Sequence, residues 1–125
     1  MLSLRVIGSI YILSGMWCGL NPILSASNLG FVFSVPQAQV EYLSVYGGLQ
    51  LGLGIAMILV SLNPRLLLGG VFFSMVFSIV LMLTRIAAMT LYGTTGTMWI
   101  LLLLESCIAL VLIASWYKSS GYKMD

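Results

Sequence analysis

Two ionised side chains, Arg85 and Glu105, stand inside long apolar runs, and the amide of Gln50 stands inside another. A lone charge in the middle of hydrocarbon costs ~2.5–3.5 kcal/mol even on the lenient insertion scale, so such residues are kept where they pair or where they bind something. Arginine and glutamate make a bidentate pair of charge-assisted hydrogen bonds. The rest of the chemical inventory is thin. The chain has no histidine. Cys18 and Cys107 both lie in apolar runs without CxxC spacing and are expected to be small buried core residues. With no metal-ligand spacing and no Gly-rich phosphate loop, no metal and no cofactor are expected. One buried carboxylate lacks the second group that hydrolysis or a proton relay needs, so no residue is assigned a catalytic role. Met75, Met82 and Met89 repeat every seven residues on the face that carries Arg85. Thioethers suit Cu(I), but residues two turns apart do not share one ion, and gap-filling in a core explains them better.

The elements that must hold these groups are membrane helices. Of 125 residues 61% are hydrophobic and 6% charged, with a mean hydropathy of +1.13, too few charges to cover a water-soluble surface. A net charge of +2 without a basic cluster excludes nucleic acid as a partner. The expected partner is the lipid bilayer, and the expected fold is an all-α, four-helix transmembrane bundle forming a single domain.

Four crossings are predicted, at about residues 6–24, 42–62, 66–92 and 98–117. In the first, Tyr11, Ser14, Cys18 and Asn21 recur at helical spacing and should turn inward, with Gly15 and Gly19 as a close-packing ridge. The stretch from Ser25 to Val40 carries no positive charge and reads as an external loop. Ser34-Val35-Pro36-Gln37 resembles a capping box opening the second helix. That helix holds Tyr46-Gly47-Gly48-Leu49-Gln50-Leu51-Gly52-Leu53-Gly54. At 100° per residue Ser44, Gly48, Gly52 and Ala56 form one small-residue ridge, and Tyr46, Gly47, Gln50 and Gly54 cluster nearly opposite. Asn63-Pro64 predicts an N-cap followed by proline in the first turn. The third helix carries Gly70, Ser74 and Ser78 as its own small ridge and stops at Gly93. Thr97 is expected to cap the fourth. Trp99, Trp116, Tyr117 and Tyr122 are expected as interfacial anchors.

Arg5, Arg65, Lys118 and Lys123 all fall on one side of this topology, which predicts cytoplasmic N- and C-termini. Arg85 and Glu105 each lie ~10–12 Å inside their helix ends on antiparallel neighbours and are expected to pair. Gln50 arrives at the same depth, with Tyr46 one turn further out and Ser14 and Trp17 nearby. Together they predict a polar cluster towards the extracytoplasmic side.

The run Glu41–Gly54, with Arg85 and Glu105 beyond it, resembles a small bacterial membrane family known as domain of unknown function 4345, itself similar to DoxX-like four-helix proteins. The glycine-glutamine stretch carries the resemblance. It implies four helices in the bacterial inner membrane, brings no established activity, and suggests a membrane oxidoreductase as a partner. Two functional readings follow. In the first, Arg85, Glu105 and Gln50 fix bundle packing in a structural or accessory subunit, and the small-residue ridges supply contacts in a homo-oligomer or with a partner. In the second, the cluster binds or transports a small amphipathic ligand such as a quinone, a lipid headgroup or a small acid.

Overall fold

In a computed structural model, described for residues 1–121, apolar runs and breakers dictate where helices start and stop. The order is α1 (Leu2–Leu20), α2 (Pro22–Asn28), α3 (Pro36–Tyr42), a π-helical segment (Leu43–Leu49), α4 (Gln50–Leu62), α5 (Pro64–Tyr92) and α6 (Gly96–Gly121). Among the described residues there is no strand, and four helical stretches are long and apolar enough to cross a membrane: Leu2–Leu20, Pro36–Leu62, Pro64–Tyr92 and Gly96–Gly121. The chain is thus an all-α, multi-pass membrane protein. Tyr122 and Lys123, expected as an anchor and as a topology signal, lie outside the described residues.

Prolines explain several boundaries. Pro22 cannot donate to the ladder, so α1 ends at Leu20 and a short new helix begins with proline in its first turn. The first span is therefore shifted towards the N-terminus relative to the 6–24 expectation, and part of the expected external loop is helical. Pro36 opens α3 behind an extended Val35, with no side-chain cap, so Ser34 sits one position too early for the capping box. Asn63 does cap α5, its Oδ1 accepting from the Arg65 amide at 3.0 Å. Gly93 stops α5 at φ 99°, a conformation costly for any residue with a Cβ. α6 starts at Gly96, so Thr97 is inside the helix and does not cap it.

By contact density the chain divides into two units. One is Arg5–Leu59. Within it, a methyl group at Gly54 would sit 2.5 Å from the Gly8 carbonyl oxygen, and one at Gly15 would sit 2.9 Å from the Gly47 carbonyl oxygen. Each contact is seven residues on along one helix and seven back along the other, the register that antiparallel neighbours require. Gly47 also approaches the Gly19 backbone. Gly8 was not foreseen. Conversely, Ser44, Gly48, Gly52 and Ala56 are exposed, and added methyls at Gly48 and Gly52 meet essentially open space. The ridge keeps its common face but lies on the side away from Gly47 and Gly54, and of the two small-residue faces it is the Gly47–Gly54 one that meets α1.

A second centre in this unit fixes the non-spanning segment. Cys18, Ala26 and Tyr42 are buried together, with Phe33 and Tyr46 packed against them. Tyr42 and Tyr46 stack at 4.9 Å, while Phe31 meets both rings edge-on. The Tyr42 hydroxyl shares a 2.8 Å hydrogen bond with Ser25. Asn21, expected to face inward, is exposed.

The other unit joins Met1–Leu4 to the chain from Val60 onward. Here α5 packs along α6, Phe72 lies 5.0 Å from Trp116, and Ser3 meets Ser115. Trp116 is thus partly packed against a neighbour, whereas Trp99 and Tyr117 are exposed. Gly70 faces Val60 with no room for a Cβ, and Ser74 and Ser78 are buried along the same ridge. Cys107 is exposed, against the expectation of a buried thiol; only Cys18 is in a core.

Glycine packing makes a direct test. Gly54→Ala should destabilise the protein in detergent, because the new methyl meets backbone that cannot yield. Gly52→Ala should be neutral or stabilising by up to ~1 kcal/mol, the usual helix advantage of alanine over glycine. Thermal unfolding followed by circular dichroism reads both, and equal losses would place close packing on the Gly52 face as well.

Candidate functional site

The polar residues fall into two pairs, one in each unit. On α5 and α6, Arg85 Nε donates to Glu105 Oε2 at 2.6 Å and Arg85 Nη2 donates to Glu105 Oε1 at 2.7 Å. This is a side-on, bidentate ion pair, with the two side chains only 25% and 13% exposed. Its register follows from the hairpin. Arg85 lies eight residues before Gly93 and Glu105 ten after Thr95, so the short turn brings them level. The pairing expected from depth is therefore present.

A groove of about 310 Å3 opens beside the pair, walled by Leu81, Thr84, Met89, Tyr92 and Met98 with Arg85 among them. Glu105 does not line it. The groove is apolar apart from a guanidinium, the Tyr92 phenol and a threonine hydroxyl whose proton is used, since Thr84 Oγ1 donates to the Val80 carbonyl at 2.8 Å. Such a wall favours a ligand with an apolar body and an anionic or strongly accepting end. Met89, the last of the methionine heptad, is buried here. Among the described residues no group of three or more histidine, cysteine, aspartate or glutamate side chains converges.

In the other unit, Ser14 Oγ donates to Gln50 Oε1 at 2.7 Å. The hydroxyl comes from the inward face of α1 and the amide from the first residue of α4, where regular α geometry resumes after the π segment. Of the other expected cluster members, Tyr46 belongs to the aromatic centre with Tyr42 and Phe31, and Trp17 is exposed. Sequence reasoning missed the aromatic centre because Phe31 and Phe33 sit in a segment without periodicity. The Tyr42/Tyr46 spacing of four was the one signal available.

The two pairs differ in kind, so their loss should differ in size. Ser14→Ala removes a neutral interhelical hydrogen bond, and such bonds between membrane helices average ~0.6 kcal/mol. The variant should keep its fold and lose little stability, as read by denaturant unfolding in detergent micelles. A loss matching that of an Arg85 variant would show that the neutral pair matters as much as the ionic one. No family model, no curated protein and no solved structure matches this chain.

Proposed function

We propose that this small multi-pass membrane protein acts as a structural or accessory subunit, with the Arg85–Glu105 pair holding α5 and α6 in one register. The observation that carries the reading is the pair itself, bidentate and largely shielded. Between membrane helices no hydrophobic difference distinguishes one register from the next, because lipid is as apolar as leucine. A one-turn slip would move Arg85 ~5 Å from its counter-ion and leave both charges in hydrocarbon. The resemblance to the domain of unknown function 4345 family supports a bacterial inner-membrane setting. The placement of Arg5, Arg65 and Lys118 supports cytoplasmic termini. A membrane oxidoreductase or a second copy is the partner this role would serve.

A second reading rests on one further observation. The groove beside Arg85 presents a cation on an apolar wall from which the matching carboxylate is absent. A small amphipathic acid or a quinone head could use that cation, with Glu105 holding the guanidinium in place.

A double-mutant cycle separates coupling from independent roles. Arg85→Met leaves a carboxylate to protonate or to draw in water, and Glu105→Gln strands a guanidinium that does not neutralise. Each single change should cost up to ~3–5 kcal/mol, as for breaking a buried pair, and the double change should recover much of it. Strictly additive losses would remove the structural reading and favour the ligand one. For orientation, a reporter active only outside the cytoplasm, fused after Lys118, should stay silent; a strong signal there would invert the topology.

A further inference from the structure

A second cavity, of about 710 Å3, lies at the opposite end of the α5–α6 unit from the Arg85 groove. Its walls come from the start of α1, the first turns of α5 and the last turns of α6, and include Ser3, Leu67, Leu68, Ser115, Lys118 and Ser119. Helices of 29 and 26 residues are ~44 and ~39 Å long, longer than ~30 Å of hydrocarbon, so these ends reach the headgroup layer. The cavity therefore combines leucine surface with the Lys118 ammonium, the Met1 ammonium, which also donates to the Ser61 carbonyl at 3.4 Å, and three hydroxyls at the depth where lipid phosphates lie.

Among the described residues of this unit, Lys118 has no counter-ion. Among its described residues the single carboxylate is Glu105, which is held by Arg85 and lies thirteen residues, ~20 Å, back along α6. The hydroxyls are also poised for an acceptor. Ser106, Ser115 and Ser120 of α6 each donate to the carbonyl four residues back, but the Ser119 hydroxyl makes no hydrogen bond among the described residues. Ser115 Oγ lies 2.9 Å from Ser3 Oγ and 2.8 Å from the Val111 carbonyl. Its proton can serve either one. When it goes to Ser3, the Ser3 proton is available to the cavity, and a phosphate oxygen there draws that arrangement.

We infer that this cavity binds the phosphate headgroup of an anionic phospholipid, with Lys118 as counter-ion, Ser3 and Ser119 as donors, and an acyl chain along Leu67 and Leu68. The requirements converge on that class. The occupant must carry negative charge, accept hydrogen bonds and offer an apolar body that continues into the bilayer. Basic pockets at helix ends recognise anionic lipids by this combination. The site is independent of the role assigned to Arg85 and Glu105.

Native mass spectrometry of the full chain, released from neutral detergent with defined lipids added, tests it. Phosphatidylglycerol should be retained at one molecule per chain, and phosphatidylcholine at least tenfold less. Lys118→Gln should lower phosphatidylglycerol retention about tenfold and Lys118→Arg should restore most of it. Arg65→Gln removes a charge at the same end but outside the cavity wall, and should leave retention near the parent level. Circular dichroism of each variant without lipid confirms that the helices are intact, as expected for an exposed residue in the last turns of α6. Equal losses for Lys118→Gln and Arg65→Gln would overturn the site in favour of diffuse surface charge. Equal retention of both lipids would overturn it as well. Competition by millimolar inorganic phosphate, displacing the lipid completely, would assign the site to a free anion and overturn the lipid proposal.

Discussion

An arginine that does not lose its proton, set within an apolar helix, is the constraint on which the α5–α6 unit depends. Its charge must be met at its own depth, and Glu105 meets it with two short hydrogen bonds. For that to happen the helices must be antiparallel neighbours joined by a turn short enough to keep the count. Gly93 supplies the turn by taking a positive φ that other residues resist. The rest of the interface is apolar or small and would tolerate neighbouring registers. Register here is therefore set by the short turn and held by charge, while closeness is steric.

The Arg5–Leu59 unit solves the same problem without charge. Gly8 and Gly15 on α1 meet Gly54 and Gly47, so backbone atoms approach where side chains would otherwise intervene. Close approach is what lets a hydroxyl as short as that of Ser14 reach Gln50 across the interface. The π segment fits this arrangement. It rotates the chain between Tyr42, committed to the aromatic centre, and Gln50, committed to α1. The same helical stretch thus serves both the aromatic centre and α1.

How far this was legible in the sequence depends on the kind of signal. The α5 boundaries were legible because Asn63-Pro64 and Gly93 act locally, through a cap and a left-handed stop. The ion pair was legible because two charges in apolar runs leave few alternatives and depth can be counted from a short turn. Helix faces were legible, but which of two small-residue faces meets a neighbour was not. The ridge on Gly70, Ser74 and Ser78 is buried as expected, whereas that on Ser44, Gly48, Gly52 and Ala56 is not. No residue between Leu43 and Leu49 announces i→i+5 bonding, which is a tertiary compromise and not a propensity. Ser34 failed for a smaller reason: an extended residue before proline pushed the helix start to Pro36, one residue beyond its reach.

The distribution of acids explains why the two ends of α5 and α6 have different chemistry. Near the Gly93 turn the one arginine is satisfied from within the protein, so its end can be dry and the adjacent groove apolar. At the other end Arg65 and Lys118 stand without a carboxylate among the described residues of that unit to answer them. A bilayer supplies water and phosphate at that depth and neither of them deeper. Among the described residues the protein thus provides its own counter-ion where the solvent has none and leaves the counter-ion to the solvent where it is abundant. That is the least costly placement for a chain with so few charges. It also makes the basic end sensitive to the headgroups around it while the buried pair is not.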